Sequence, residues 1–334
     1  MPLRCVATKI GSPLQVVKIQ APTPQTGEVL VRLKAVALNH IDWKQVETGH
    51  NVSSWPAVIG NDGAGIVEDV GPGVNRFKKG DEVFARFYPS SPSGAAFQEL
   101  ATTSTSDVAF KPASLSYQEA SSLSLGFMTA ASALYCVLNI SLPFVEPALK
   151  DANTLKSILV VGGSSAVGAA AVQLLRIALP DAIIITTSSP KHHEHLKSLG
   201  ATIALDYNAP DITSRIKQAS LDGVEAILDT VNGVATDPGL LQTLTGLKLF
   251  AELVTGIFAK DIPEAVKHTL VFGKQIMSTP VADELFRALE GMIKSGQYKL
   301  PLPVKVIGHG LGDIEQGLEK LKAGVSGTKL VISL

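Results

Sequence analysis

The sequence predicts an α/β protein that combines an irregular barrel of short strands with a doubly wound parallel sheet. Short β-rich runs broken by turn residues fill roughly the first 110 residues, and strands alternate with helices after about residue 156. Beyond about residue 300 the short-strand pattern returns. We therefore expect a barrel domain made of 1–125 and 300–334, with the parallel-sheet domain, 126–299, inserted into it.

Turn residues divide the barrel domain into short strands. Residues 29–36 alternate and are rich in β-forming side chains, and 63–70 lead into a Gly-Pro-Gly turn at 71–73. Strands this short and this closely spaced indicate an irregular barrel rather than βαβ units. After them, Ser116 and Glu119 have the spacing of a capping box, which predicts the start of an alanine-rich helix.

Apolar strands separated by helices predict the parallel sheet. The predicted strands are 158–161, 182–187, 202–206, 224–229 and 248–254. Helices are expected at 169–179 and 192–199, between the first three of these strands. Strands that alternate with helices of this length are typical of a parallel, doubly wound sheet.

The first of these strands runs into a glycine-rich turn at the start of a helix. The turn, 162–168, reads Gly-Gly-Ser-Ser-Ala-Val-Gly. Free N–H groups and the helix dipole favour an anion at such a point, and glycine is needed where backbone and phosphate come close. A serine replaces the middle glycine of the G-x-G-x-x-G pattern. The alternative is an ordinary turn whose glycines serve only its geometry. We predict that the pyrophosphate of a dinucleotide is bound by Gly163, Ser164, Ser165, Ala166 and Val167.

The end of the second strand predicts which dinucleotide is bound. An NAD site usually has an acidic residue there, which binds the ribose hydroxyls. This chain has Thr-Thr-Ser-Ser-Pro-Lys at 186–191, whose hydroxyls and lysine suit a 2′-phosphate. We therefore predict NADPH as the cofactor, with Ser188, Ser189 and Lys191 at its 2′-phosphate. A plain helix start, with Ser189 as N-cap and Pro190 at the first helical position, explains the same residues.

Composition limits the remaining function classes. A formal net charge of −1 argues against a nucleic-acid partner, because phosphate binding needs a clear basic excess. Two cysteines, Cys5 and Cys136, are too few for a disulfide framework or a four-thiolate zinc site. We recognise no signal peptide, no amphipathic basic segment and no apolar run of membrane-spanning length. We expect a cytoplasmic protein with no membrane partner.

No metal site is predicted. His192, His193 and His195 lie close together at a helix start, but no carboxylate or cysteine accompanies them. We interpret the three histidines as a solvated helix start.

The motifs of the whole chain, in their order, resemble the medium-chain dehydrogenase/reductase superfamily, whose members join a GroES-like irregular β-barrel domain to a Rossmann domain. The motifs are 60–67, 70–74, 79–83, 126–130, the glycine turn and 199–201. Zinc alcohol dehydrogenases of this superfamily carry Gly-His-Glu at the position of 60–62, and a cysteine in the segment that here is 38–42. The resemblance therefore implies the zinc-independent branch of quinone oxidoreductases and enoyl reductases.

Within that branch the chain is most similar to fungal trans-acting enoyl reductases, which serve polyketide synthases. The likeness lies in 39–44, 205–210 and 326–331. It implies NADPH-dependent hydride transfer to an activated C=C bond of an enoyl or enone substrate, either a small molecule or carrier-bound, by a monomer or homodimer. The alternatives are a quinone or reactive-aldehyde reductase and, in a different class, a protein that binds NADPH without turnover.

The resemblance also implies roles for single residues. Lys44 and Thr129 match positions beside the nicotinamide, which makes them candidate catalytic donors of a hydrogen bond or a proton. Tyr207 matches a tyrosine near the adenine, and Asn39 is placed among the cofactor-binding residues. The alternatives are a solvated lysine, a threonine hydroxyl bonded to its own helical turn, a core tyrosine and an asparagine that only shapes its loop.

Overall fold

A computed structural model describes residues 1–89, 92–254 and 256–334, which fall into two units. Unit 1 comprises Met1–Leu125, Asp283–Gly296 and Pro303–Leu334, and unit 2 comprises Gly126–Ala282 and Gln297–Leu302. The stretch 283–299, predicted to lie wholly in the inserted domain, is divided between the two units.

Strands and helices of the described residues are numbered in chain order. The strands are β1 Leu3–Ala7, β2 Leu14–Lys18, β3 Glu28–Ala37, β4 Asp62–Val70, β5 Glu82–Arg86, β6 Leu100–Ser104, β7 Val108–Phe110, β8 Ser157–Val161, β9 Ile183–Ser188, β10 Ile203–Asp206, β11 Val224–Asp229, β12 Leu244–Leu253, β13 Lys267–Val271, β14 Val304–His309 and β15 Lys329–Ser333. The α-helices are α1 His40–Thr48, α2 Tyr117–Ala120, α3 Ser124–Ser132, α4 Ala166–Ala178, α5 His193–Ser198, α6 Ile212–Ala219, α7 Gly233–Thr236, α8 Ala282–Lys294 and α9 Ile314–Lys322. A π-helical turn, Ala133–Val137, continues α3.

The main sheet of unit 1 is mostly antiparallel and is organised around the long strand β3. Its order is β14-β15-β3-β4-β5-β7, and β6 also pairs with β3. Inward side chains such as Val31 and Leu33 are buried together with Phe97. At Gly65 the strands approach so closely that a Cβ would lie 2.0 Å from the Arg32 carbonyl oxygen, so only glycine fits there. The bulged pairing of β3 with β4, together with the shorter strands beside them, forms the irregular barrel that the sequence predicts.

Helix α8 belongs to unit 1 because it is ion-paired to the barrel. Glu290 pairs with Arg76 Nη2 at 2.7 Å and accepts a hydrogen bond from Phe110 N at 3.1 Å. The apolar face of the helix, including Leu285 and Leu289, is fully buried. These two partners of Glu290 in the barrel lie 214 and 180 residues away along the chain, so local sequence patterns could not assign the helix to unit 1.

Residues 297–302 belong to unit 2 because they pack on its helices. Gln173 on α4 donates to the Lys299 carbonyl at 3.1 Å and accepts from Lys299 N at 2.8 Å. The buried ring of Tyr298 meets Phe127 edge-on, with the centroids 5.6 Å apart. Gln173, the polar residue that interrupts the apolar helix α4, therefore holds residues 297–302 against unit 2.

The sheet of unit 2 is parallel throughout, in the order β10-β9-β8-β11-β12-β13. The central strand β8 is buried at every position, and its Leu159 packs with Ile185, Ile227 and Phe250 of neighbouring strands. From β8 the chain builds one half of the sheet through β9 and β10, and the other through β11 to β13. The switch between the halves is where such sheets bind ligands, outside the carboxyl ends of the strands. The predicted fold class is confirmed.

Among the described residues, one helical segment, Tyr117–Val137, is long and apolar enough to cross a membrane, with a mean hydropathy of 1.4 over an 18-residue window. The expectation that the chain holds no such run was therefore wrong. Of that window, 83% is buried inside the protein, and the core helix of a globular protein meets the same criterion. Length and composition of this segment are thus weak evidence for a membrane span.

Candidate cofactor-binding and catalytic residues

The glycine turn of unit 2 is packed too closely for side chains at two of its positions. A Cβ on Gly163 would lie 1.9 Å from Thr186 Oγ1, and a Cβ on Gly168 would lie 2.3 Å from the Gly162 carbonyl oxygen. Gly162 has a φ of +80°, in the left-handed region that glycine adopts readily. The backbone therefore turns tightly from β8 into α4, as a phosphate-binding turn requires.

Ser165, which breaks the glycine pattern, is the N-cap of α4. Its oxygen accepts a hydrogen bond from Gly168 N at 2.9 Å and lies 2.9 Å from the Thr230 hydroxyl. Thr230 in turn donates to the Val161 carbonyl at 2.8 Å, so the turn is fastened to the end of β11. Ala166 and Val167 open the helix, and their N–H groups have no acceptor within it. The predicted pyrophosphate-binding segment thus offers backbone donors at a helix start.

The end of β9 exposes Lys191 but buries Ser188. The Ser188 side chain is buried and its hydroxyl donates to the Ser189 carbonyl at 3.3 Å, so its placement at a 2′-phosphate stays a prediction. Ser189 is the N-cap of a short 3-10 turn with proline at its first position, as the helix-start interpretation predicts. Asp206, at the end of the neighbouring strand β10, accepts from Asn208 N at 3.0 Å. Ser189 and Lys191 remain the side chains that suit a 2′-phosphate.

The nearby histidines serve local hydrogen bonds. His193 Nε2 lies 3.3 Å from the Ser188 carbonyl, and His195 Nε2 lies 2.8 Å from the Pro301 carbonyl. Burial, and then Lys191 and the other two histidines, lower the pKa of His192. The ring of Tyr207, after β10, is 56% exposed and so is not the core aromatic of the alternative interpretation.

Thr129, on α3, belongs to unit 2 and is 8% exposed. Within the ranges that the structure describes, its hydroxyl makes no hydrogen bond, neither to its own helical turn nor elsewhere. The alternative of a hydroxyl bonded to its own turn is therefore wrong. The nearest backbone is that of Gly273, where a Cβ would lie 2.5 Å from Thr129 Oγ1.

Asp62 is the centre of a buried polar cluster in unit 1. Its Oδ2 accepts from Asn39 Nδ2 at 3.0 Å and pairs with Lys329 Nζ at 3.3 Å, and its Oδ1 accepts from Leu125 N at 2.7 Å. Lys329 also donates to the Asn39 side-chain carbonyl. The side chains of Asp62 and Lys329 are 0% and 6% exposed. The cluster joins the C-terminal strand β15, the N-cap of α1 and the start of α3.

Asn39 and Asp42 form a capping box at the start of α1. Asn39 N donates to Asp42 Oδ2, and Asn61 Nδ2 donates to Asp42 Oδ1, both at 2.7 Å. Burial raises the pKa of Asp42 to about 7, against the opposing effect of these hydrogen bonds and of Lys329. The amide nitrogen of Asn39 donates to Asp62 and its side-chain carbonyl accepts from Lys329. These bonds favour the loop-shaping alternative, and the placement of Asn39 among the cofactor-binding residues stays a prediction.

Lys44 lies on α1 and is partly buried rather than a freely solvated lysine. Its ammonium lies 5.4 Å from the centroid of the Trp43 ring, and burial lowers its pKa. On the same helix, His40 Nδ1 accepts from Trp43 Nε1 at 3.2 Å, so the neutral imidazole carries its proton on Nε2. Burial, and then Lys44 and Lys329, lower the pKa of His40.

The site residues predicted from sequence fall into both units. The glycine turn, the end of β9, Tyr207 and Thr129 share unit 2, whereas Lys44 belongs to unit 1. Sequence reasoning did not identify the roles of Asp62, Lys329, Thr230 and Gly273. A signal existed for the first two only, since each stands inside a motif that the resemblance used.

Comparison with known proteins covers both units. The family model for the alcohol dehydrogenase GroES-like domain matches 25–126, and that for zinc-binding dehydrogenases matches 166–294. Dehydrogenase orf1 of Aspergillus niger is 31% identical over 100% of both chains. Trans-enoyl reductase tndF of Aspergillus flavipes is 33% identical, over 97% of this chain and 96% of its own length. The crystal structure of CurK enoyl reductase superimposes with a TM-score of 0.81, at 26% identity and 99% coverage of both chains.

The description of the second family model raises the question of whether zinc fits the residues present. The positions of the Gly-His-Glu motif hold Asn61 and Asp62 here, and an amide side chain is not a usual zinc ligand. Asn61 already donates to Asp42, and Asp62 is already paired with Lys329. In the described part of the chain, no group of three or more His, Cys, Asp or Glu side chains could hold a metal ion. These residues do not fit zinc.

Proposed function

The chain belongs to the medium-chain dehydrogenase/reductase superfamily, and we propose that it is a zinc-free, NADPH-dependent reductase of activated C=C bonds in enoyl or enone substrates. The observation that carries the proposal is the Asp62–Lys329 pair. A zinc dehydrogenase polarises an unactivated carbonyl with its ion. Because an internal ion pair already engages the zinc-motif carboxylate here, the hydride acceptor must be activated by its own conjugation.

Unit 2 would hold the cofactor through its backbone and a small number of side chains. The N–H groups of Ala166 and Val167 suit the pyrophosphate, because the Gly163 turn lets the anion approach the helix start. Ser189 and Lys191 suit a 2′-phosphate, and β9 ends in Thr186-Thr187-Ser188 without the carboxylate that would repel it. When bound, NADPH supplies the hydride.

Two side chains suit the developing charge. Reduction of an enoyl group builds negative charge on the carbonyl oxygen. A well-placed hydrogen-bond donor stabilises this charge in the transition state by about 3 kcal/mol. Burial lowers the pKa of Lys44, which makes its ammonium a better proton donor than an ordinary lysine. The Thr129 hydroxyl, without a partner among the described residues, suits a second hydrogen bond.

The proposal extends to partners and location. The relatives named trans-enoyl reductases, which match nearly the whole chain, support an enoyl substrate that is either a small molecule or carrier-bound. A net charge of −1 supports the absence of a nucleic-acid partner. We further propose a cytoplasmic protein without a membrane partner, as a monomer or homodimer.

Cofactor oxidation with three acceptor panels tests the proposal. We expect NADPH oxidation with 2-enoyl thioesters or enones, and little with quinones or aldehydes. Lys44→Ala should lower turnover at least tenfold and leave the NADPH dissociation constant unchanged, whereas Lys320→Ala, on an exposed part of α9, should change neither. Full activity of Lys44→Ala would remove Lys44 from the mechanism. Tight NADPH binding without oxidation by any acceptor would favour a protein that is not an enzyme.

A further inference from the structure

Helix α3 directs two hydroxyls at the backbone that follows strand β13. Ser132 Oγ donates to the Phe272 carbonyl at 3.0 Å. One turn earlier on the helix, Thr129 Oγ1 lies so close to Gly273 that a Cβ there would be 2.5 Å away. The Phe272–Gly273 segment is therefore fastened to α3 at one point and leaves only enough space for a glycine at the other.

The two hydroxyls differ in how they are satisfied. Ser132 is fully buried and has its acceptor, as does Ser220, which donates to Ile216 O in its own helix at 2.7 Å. The Thr129 hydroxyl, in contrast, makes no hydrogen bond with any described residue. It is not fully buried either, because in the described part of the chain the fully buried side-chain oxygens without a partner are those of Ser124 and Tyr298. The Thr129 oxygen therefore keeps some accessible surface, from which a bound ligand can reach it.

Sheet topology indicates which ligand reaches Thr129. Gly273 lies just beyond the carboxyl end of β13, on the ligand-binding edge of a doubly wound sheet. In such a sheet each half binds one half of a dinucleotide. The glycine turn and the predicted 2′-phosphate residues belong to β8 and β9, so the adenosine half of the proposed cofactor would lie over β8 to β10. The nicotinamide nucleoside half would then lie over β11 to β13.

We propose that Gly273 and Ser132 are positioning residues that keep the Thr129 hydroxyl available to the nicotinamide nucleoside end of the cofactor. The hydrogen bond from Ser132 to the Phe272 carbonyl fixes the position of the Phe272–Gly273 segment along α3. Gly273 leaves open the rotamer in which Thr129 Oγ1 points away from its own turn. This proposal rests on NADPH as the proposed cofactor. It goes beyond that proposed function because it names the residues that control one hydrogen bond to the cofactor.

Gly273→Ala tests this directly. The added methyl collides with Thr129 Oγ1, and a helical threonine has a second rotamer in which the hydroxyl bonds its own turn. The hydroxyl would move there and the fold would persist. We expect the NADPH dissociation constant, measured by calorimetry, to rise about fivefold, because that is the change expected when one hydrogen bond of typical net strength is lost. Gly291→Ala, where nothing lies within 4 Å of the new methyl, is the control and should bind NADPH normally.

Binding of adenosine 2′,5′-bisphosphate separates positioning from general damage. This probe carries only the adenosine half, so Gly273→Ala should bind it as tightly as the wild type. Ser132→Ala should show the same split, while Ser220→Ala should weaken neither ligand. Thr129→Ala should match Gly273→Ala, and the double variant should lose no more NADPH affinity than either single variant.

Two results would overturn the proposal. One is equal NADPH affinity in Gly273→Ala and the wild type, and the other is a parallel loss of NADPH and of the bisphosphate. Neither readout needs turnover. A chain that reduces no alkene but shows the split would contradict the proposed reaction and support this inference.

Discussion

Replacing Lys329 with methionine should destabilise unit 1. Methionine keeps an unbranched apolar side chain but removes the ammonium that lies 3.3 Å from Asp62. The Asp62 carboxylate, 0% exposed, would then keep its hydrogen bonds from Asn39 Nδ2 and Leu125 N but lose its cation. Removing one partner of a buried ion pair costs about 3–5 kcal/mol. We expect that loss in the free energy of unfolding of unit 1.

Tryptophan fluorescence measures this loss, because both tryptophans of the chain, Trp43 and Trp55, lie in unit 1. In urea titrations the Lys329→Met midpoint should fall well below that of the wild type. Lys320→Met, at an exposed position, should leave it unchanged.

A double variant isolates the charge effect. Asp62→Asn combined with Lys329→Met removes both charges and should recover most of the lost stability, since neutral pairs of similar size often replace buried ion pairs without loss. A single variant as stable as the wild type, or a double variant no more stable than the single one, would refute the reasoning.

Three further predictions concern pH and the cofactor. Burial raises the folded-state pKa of Asp42 to about 7, above an unfolded value of about 3.9, so its stabilising contribution is complete below pH 4 and is lost as pH rises through 7. Urea midpoints of the wild type should therefore fall between pH 5 and pH 8, and Asp42→Asn should flatten that trend; equal slopes would contradict it. In Gly163→Ala the added methyl would lie 1.9 Å from Thr186 Oγ1, so NADPH binding, measured by calorimetry, should weaken at least tenfold. An unchanged affinity would refute the claim that the turn is too closely packed for a side chain at this position. Lys191→Ala should reduce NADPH affinity to about that of NADH, while Lys197→Ala, also exposed, should not; a retained preference would exclude Lys191 from the 2′-phosphate site.

Local patterns predicted the fold well where each element carries its own signal. The capping box formed as expected, with Ser116 N donating to Glu119 Oε2 at 2.9 Å. The five predicted strands of the parallel sheet are present, because each is an apolar run bounded by turns. Strand β13, Lys267–Val271, was not predicted, because its exposed edge position allows Lys, His and Thr where a central strand would be apolar.

Features that depend on distant residues could not be predicted. Asp62 and Lys329 are 267 residues apart, and neither has a local pattern that demands a buried ion pair. Ser165 appeared as a defect of the glycine pattern, whereas its hydroxyl caps α4 and lies beside Thr230, 65 residues further on. Likewise nothing in the sequence near Thr129 shows that Gly273 adjoins it. In each case tertiary contacts, which periodicity does not encode, decide the role.

The most direct test of the proposed reaction follows the hydride itself. The protein is incubated with a 2-enoyl thioester and NADPH deuterated at C4 of the nicotinamide, and the product is analysed by mass spectrometry and NMR. The proposed function predicts a saturated thioester with one deuterium at the β-carbon. An unchanged alkene, together with reduction of a quinone or an aldehyde by the same cofactor, would contradict it.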